Sequence, residues 1–426
     1  MKNKFTLTAI LLLTFAAVIA GNGGHKRKVL ILGVDGCRAD ALKQEIDAGH
    51  APNLGWLAAN GFYTFDSWHE DITISGPSWS SIMCGVYHLK HGVTGNSYSG
   101  SNYNAYPYFT THAKELDNTF KCIQYTEWAP MSNNVYNDSW DQKVIGTDGY
   151  SQGTGAAAVG LIADPNIDVL FTYFDHVDLT GHSSGFSPAN PAYNQAIDTV
   201  DVQIGKIIQA MQARPTYNQE DWLVLVTTDH GGTGTGHGGV SYDERHIWWI
   251  GYSDRCVKQQ ASGPQNAGHT NPPDPGQLEL YPVTNIDTAI GHLSPVQADI
   301  AVTALHHLIY DSGVRPENQP VWNLDGRSWL CEMGLCNDKN TTGIADVPSV
   351  GAEVSLFPNP ADSKISIKGA ERGVVEIYNT IGAVLLIERS DAHNFEINIE
   401  SLPAGVYFAK IQTADKTYTT RKFVKE

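Results

Sequence analysis

Six residues at the ends of apolar runs carry the types needed to hold metal ions. Trp222 to Val226 reads as a buried strand and runs into Asp229-His230, and a glycine-rich turn then leads to His237. Lys28 to Val34 is a second apolar run and finishes on Asp35. A third, Asp168 to Phe174, is followed by Asp178 and, four residues later, His182. Packing gives no reason to end a buried strand on a carboxylate or an imidazole. Three carboxylates and three imidazoles suit two zinc ions, each with three protein ligands and open positions. Such a pair can hold the attacking and leaving oxygens of an in-line displacement. Ser75, in the run Ser75-Gly76-Pro77-Ser78-Trp79, is the candidate nucleophile: a hydroxyl just before a helix, close to free backbone N–H groups that favour an anion. Each residue also has a plain alternative. Ser75 could be a helix cap, Asp178 another, and His237 a loop histidine.

The elements that must deliver these side chains follow from periodicity. Continuous apolar runs of six to eight residues are the mark of strands buried on both faces of a parallel sheet. Ala39 to Asn60 reads as helix with a break near Pro52. Ile197, Val200, Ile204, Ile207, Ile208 and Met211 form a helical stripe within Pro191 to Ala213, and the later part of Gly291 to Ile309 reads as another helix. Tyr98 to Thr111, rich in Tyr, Asn and Ser, reads as a loop. The alternation of strand and helix across Lys28 to Ser328 predicts an α/β fold with a doubly wound, mostly parallel sheet. Ligands in such folds gather at the C-terminal ends of strands. From about Asn337 the texture changes to short alternating segments: 364–367, 375–378, 395–399 and 406–411. They predict a small all-β sandwich. The expected organisation is an export signal over 1–20, a metal-dependent hydrolase domain over 21–337, a polar linker over 338–351 and the sandwich over 352–426.

The chain of 426 residues carries 45 acidic against 28 basic side chains, and the excess lies before the sandwich. An acidic main domain is a poor partner for nucleic acid or anionic membranes. Leu7 to Ala20 is apolar, follows Lys2 and Lys4, and is short for a membrane span, so export is expected and a transmembrane segment is not. Of six cysteines, Cys331 and Cys336 lie close together in a polar loop and are the expected disulfide pair.

Residues 28–330 resemble the alkaline phosphatase superfamily, in its phosphodiesterase/nucleotide pyrophosphatase and sulfatase-like branch. The resemblance rests on GVDGCRADAL, APNLGWLAANG, SGPSWSSIMCGVYHLKHGVTGN, DLTGH and TTDHGG, which occur in that family's order, and on the late ADIAVTALHHLI and LDGRSW segments. It implies one metal site made of Asp35, Ser75, Asp229 and His230, and another made of Asp178, His182 and His237. His246 or His292 are alternatives to His237. Asn96, five residues after the histidine of His91-Gly92, would meet a phosphoryl oxygen. Sulfatases carry an arginine where this chain has Trp79. They also tend toward paired aspartates, Asp-Asn and a lysine where this chain has Asp35-Gly36, Asp229-His230 and His237. These departures point to zinc and phosphate.

The tail, with LFPNPA, LPAGVY and RKFV, resembles the C-terminal sorting domain of type IX secretion. That implies the type IX machinery as partner and a secreted or surface location. The expected function is a secreted two-zinc phosphoric ester hydrolase acting on a small phosphate ester through a phosphoseryl intermediate on Ser75, with diesters favoured. A monoesterase would need a further cation, for which Arg38, Lys90, Lys143 and Arg245 are candidates. A sulfatase and a non-catalytic binding protein are the remaining alternatives.

Overall fold

The computed structural model describes residues 26–134, 139–146, 151–256, 259–260, 295–336, 355–368, 373–379, 384–390, 394–412 and 418–426. The segments proposed as export signal and linker, and His292, lie outside them. The chain divides into two compact units, with the boundary between Cys336 and Asn337.

The first unit is built on one eight-stranded sheet. Its strands are β1 (Lys26–Val34), β2 (Phe62–Trp68), β3 (Cys122–Thr126), β4 (Gln142–Ile145), β5 (Val169–Phe174), β6 (Glu220–Thr227), β7 (His246–Tyr252) and β8 (Gln259–Gln260). They lie in the order β4-β3-β5-β1-β6-β7-β2-β8. The five from β4 to β6 run parallel, and β7 is antiparallel to both β6 and β2. β1 is the hub. It pairs in register with β5 through Val34 and Phe174, and with β6 through Gly33 and Thr227. The strands that end on Asp35, on Asp178 (four residues past Phe174) and on Asp229 are therefore neighbours.

Alternate residues of β1 feed two cores, as expected of a strand covered on both faces. Val29 and Ile31 pack with Trp79, Phe171, Leu225 and the helix Asp299–Ile309. Leu30, Leu32 and Val34 pack on the other face with helices Ala39–Asp47, Pro52–Asn60, Gln152–Ile162 and Pro191–Gln212. This is the expected α/β fold with a doubly wound sheet. The helical break falls where Pro52 begins a new helix in its first turn. One expectation needs correction: the Tyr-rich segment is a loop only to Tyr108, and Phe109–Leu116 is helical, with Phe109 and Ala113 buried on one face. Cys331 and Cys336 form the disulfide, while Cys37, Cys84 and Cys122 are buried free thiols. Among the described residues no helix is long and apolar enough to cross a membrane.

The second unit has a three-stranded sheet (Ser355–Phe357, Lys364–Lys368, Asn394–Asn398) and a four-stranded one (Gly373–Asn379, Val384–Ser390, Gly405–Gln412, Tyr418–Lys425). Ile365, Ile367, Val375, Ile377, Ile411 and Phe423 form its core, so the period-2 alternation selects the inward face.

Gly33 makes room on the sheet for an aromatic ring. A Cβ there would lie 2.4 Å from Cη2 of Trp79, so only glycine lets the indole lie against β1. Gly33→Ala should therefore lower stability by about 1–3 kcal/mol. Gly160 sits exposed in the helix Gln152–Ile162, and a Cβ added there would meet nothing within 4 Å. Gly160→Ala should raise stability by roughly 0.5–1 kcal/mol. Urea unfolding of the two variants beside the parent protein checks both signs.

Candidate metal centre and nucleophile

The three central strands bring the expected ligands together at their ends. Asp35 follows β1 directly, Asp229 and His230 follow β6, and all three are fully buried. Asp178 and His182 lie on the helix His176–Ser184, one turn apart on the same face, rather than in a loop. His237 returns across the glycine turn, which is pinned by Thr233 and Gly236. Gly36 adopts φ +64°, and a Cβ there would come 2.5 Å from Oδ1 of Asp178. The glycine after Asp35 therefore lets the ends of β1 and β5 close on each other.

Two groups of ligand atoms result. The carboxylates of Asp35 and Asp229 and the His230 imidazole face one another, and so do Asp178, His230 and His237. Nε2 of His230 is 3.2 Å from Oδ2 of Asp229 and 3.7 Å from Oδ1 of Asp35. Nε2 of His237 is 3.7 Å from Oδ1 of Asp178 and 3.1 Å from Nε2 of His182. His182 lies 3.3 Å from Oδ2 of Asp178. His230 stacks on His237 with ring centroids 3.8 Å apart, which joins the two groups. His246 stands elsewhere: it begins β7, pairs with Asp66 at 3.2 Å and stacks on Tyr242. His237, and not His246, thus stands beside Asp178 and His182.

Backbone carbonyls set the histidine tautomers. Nδ1 of His182 donates to the Thr235 carbonyl at 2.9 Å, that of His230 to Gly231 at 2.8 Å, and that of His237 to Thr73 at 2.8 Å. A carbonyl can only accept, so each ring carries a proton on Nδ1 and turns Nε2 toward the carboxylates. This is the arrangement that metal-ligating histidines adopt. The carboxylates are oriented in the same way. Oδ2 of Asp35 accepts from Nε1 of Trp79 at 2.9 Å and from the Tyr173 hydroxyl at 2.6 Å, and Oδ1 of Asp229 accepts from the Gly36 N–H at 3.0 Å. The opposite oxygens, Oδ1 of Asp35, Oδ2 of Asp229 and Oδ1 of Asp178, are buried without a hydrogen-bond partner. Buried carboxylate oxygens are rarely left so. Together with Nε2 of His230 and of His237 these three make a donor set that fits divalent cations, and Nε2 of His182 lies beside it, 3.1 Å from that of His237.

The electrostatics agree. Burial, and then the neighbouring Asp178, push Asp35 up to about 7. Burial and Asp35 push Asp229 well above the carboxylate range. Burial also opposes ionisation of Asp178, but its hydrogen bond to His182 and the charges of His230 and His237 hold it below its usual value. The same Asp178 hydrogen bond lifts His182 to about 9. Burial lowers His230 and His237. Without a cation, protons must neutralise the cluster.

Ser75 is the first residue of the helix Ser75–Cys84, and Ile74 occupies the capping position, so the serine is not a cap. Its Oγ lies 3.3 Å from Nε2 of His230. Asn96 accepts from the Gly76 N–H through Oδ1 at 2.8 Å, which leaves its Nδ2 as a donor. The candidate cations do not reach this site as free charges. Arg38 pairs with Asp40 and Asp243, and Lys90 with Asp325. Arg245 is buried, with the charges of Asp71, Glu244 and Glu70 around it. Lys143 stands on β4, with β3 and β5 between it and β1. Sequence reasoning missed Trp79 and Tyr173 as holders of Asp35. It registered Trp79 only as a departure from an arginine and read Tyr173 as strand interior. The carbonyls of Thr73, Gly231 and Thr235 leave no mark in a sequence.

A buried-carboxylate and imidazole centre at the ends of a doubly wound sheet, beside a helix-initial serine, is the arrangement of an alkaline phosphatase-like fold. The model of the type I phosphodiesterase/nucleotide pyrophosphatase family matches residues 29–136 and 123–246, so the chain belongs to that family. Residues 355–426 match the secretion system C-terminal sorting domain. The chain is 24% identical over 253 residues to an uncharacterized pyrophosphatase/phosphodiesterase of Schizosaccharomyces pombe, covering 54% of this chain and 48% of that protein. It is 24% identical over 258 residues to human ectonucleotide pyrophosphatase/phosphodiesterase family member 7, covering 55% of each. The chain thus spans about half the length of the curated relatives it matches. Among solved structures, a 2-O GAG sulfatase aligns over 92% of this chain and 86% of its own, with a TM-score of 0.53 and 13% identity, which shows a shared fold.

The charge cluster predicts a pH dependence. Asp35 is raised from its ordinary 3.8 to about 7, so the metal-free fold holds a proton that the unfolded chain has already lost. That stabilisation is present at low pH and disappears as pH rises from about 4 to 7. In chelator the Tm should fall between pH 5 and pH 8. Added zinc should raise it more at pH 8 than at pH 5, because protons compete for the same oxygens. Scanning calorimetry with and without zinc checks this, and a zinc effect larger at pH 5 would contradict it.

Proposed function

We propose that this protein is a secreted, two-zinc phosphoric ester hydrolase of the phosphodiesterase/nucleotide pyrophosphatase kind, with Ser75 as nucleophile. One observation carries the reading: Asp35, Asp178 and Asp229, each with a buried carboxylate oxygen lacking a partner, group with His230 and His237, and the Ser75 hydroxyl lies 3.3 Å from Nε2 of His230. Asp35, Asp229 and His230, with Ser75, would hold one zinc. Asp178, His182 and His237 would hold the other. Zinc in such a centre supplies Lewis acidity toward serine, phosphoryl and leaving oxygens.

The chain's own residues account for the rest. Ser75 Oγ gives its proton to solvent and attacks phosphorus. The P–O bond to the leaving group breaks, the departing alkoxide takes a proton from solvent to become the alcohol, and a phosphoseryl ester forms. Water then attacks the same phosphorus, and the Ser75–phosphorus bond breaks to release a phosphomonoester and restore the hydroxyl. Nδ2 of Asn96 donates to a phosphoryl oxygen, held in place by its Oδ1 bond to Gly76. The start of the helix Ser75–Cys84 favours the anion.

A diester is favoured because the pairing of Arg38 and Lys90 with carboxylates leaves neither to offset a monoester's second charge. Trp79 in the place of the sulfatase arginine disfavours formylglycine chemistry. The sorting domain supports export through the type IX machinery.

The zinc-loaded protein should hydrolyse bis-nitrophenyl phosphate faster than nitrophenyl phosphate and leave nitrophenyl sulfate intact. Ser75→Ala should lower kcat/KM by roughly 10³–10⁶-fold, and mass spectrometry should find Ser75 unmodified. Full activity in Ser75→Ala would end the serine mechanism. Asn96→Ala should cost roughly 10²–10³-fold.

A further inference from the structure

We infer that Trp79, assisted by Tyr173, is a positioning residue that ties the nucleophile's helix to the metal-binding carboxylate of β1; the inference rests on the two-zinc reading above. Ser75 and Trp79 are four residues apart on one helix, so both side chains leave the same face one turn apart. From that face Ser75 Oγ reaches within 3.3 Å of His230, and Nε1 of Trp79 donates to Oδ2 of Asp35 at 2.9 Å. The indole is fully buried against Phe171 and Tyr173, and Gly33 leaves it room on β1.

Trp79 and Tyr173 decide which oxygen of Asp35 is left to act. The indole N–H and the Tyr173 hydroxyl both donate to Oδ2, which therefore has two strong partners. Oδ1 has none, is buried, and faces His230 at 3.7 Å. The two donors hold the carboxylate so that Oδ1 alone is offered to a cation. Because one of them rides on the serine helix, the same bond fixes where Ser75 stands relative to Oδ1. A side chain that only filled space would do neither, and phenylalanine would fill most of the same volume.

The test uses the full chain and the variants Trp79→Phe and Tyr173→Phe, each of which removes a donor and keeps a ring. Zinc binding is measured by equilibrium dialysis, and the absorption spectrum is recorded after cobalt replaces zinc. The parent protein should bind two metals. Each variant should bind one of them about 10–100-fold more weakly while holding the other normally, with a changed cobalt spectrum. In Trp79→Phe, kcat should fall more than KM rises, because the serine's placement is lost as well. Parental affinity and a superimposable cobalt spectrum in both folded variants would overturn the assignment. Should Trp79→Phe fail to fold, Tyr173→Phe, which removes a single oxygen, decides the matter. A parent protein that takes up no metal would overturn the two-zinc reading, and it does so before any variant is compared.

Discussion

The structure depends on a single electrostatic constraint: three carboxylates are held within reach of one another where water cannot solvate them. Coulomb repulsion at such distances is strong in a poorly polarisable interior. Asp35 and Asp229 respond by rising far from their usual range, while Asp178 survives as an anion through its histidines. Nothing in the cores on either side of the sheet requires this arrangement. It is a local cost within an otherwise ordinary α/β fold, of the kind concentrated at functional sites.

The strand order makes that concentration possible. Positions 35, 178 and 229 are far apart in the chain, yet the order β5-β1-β6 sets their strand ends side by side. The reversal at β7 and β2 then brings the segment after β2 to the same rim, so that a short helix can present Ser75 there. The cores hold this rim rigidly through residues such as Trp79 and Phe171, whose rings meet across the face of β1. Fold and site are thus linked by a few side chains that belong to both.

Much of this was legible in the sequence because buried parallel strands write long apolar runs, and a charge at the end of such a run stands out. Asp35, Asp229 and His230 were visible in that way. Asp178 and His182 were visible by spacing, although the helix that carries them was not, since glycine and serine dilute its apolar pattern. The place of Ser75 was approximate: it is the first helical residue, with Ile74 in the capping position, and Ile is not a residue that announces a cap. Whether the candidate cations are free to act was not legible, for a plain reason. A sequence shows that Arg38 and Lys90 exist, but not that Asp243 and Asp325 fold back to meet them. The histidine tautomers were invisible, because they are set by backbone carbonyls that every residue possesses.

Thr73, two residues before Ser75, accepts from His237 through its carbonyl and donates through its hydroxyl to the carbonyl of Gly239. The serine loop and the glycine-rich loop are therefore buckled together by a single threonine. Changes in the glycine-rich loop that keep His237 and Gly239 in place leave both ties intact. Substitution of Thr73 would remove the hydroxyl tie to Gly239 and keep the carbonyl tie to His237, which any residue supplies, so one of these two fastenings outlasts the side chain that made the other.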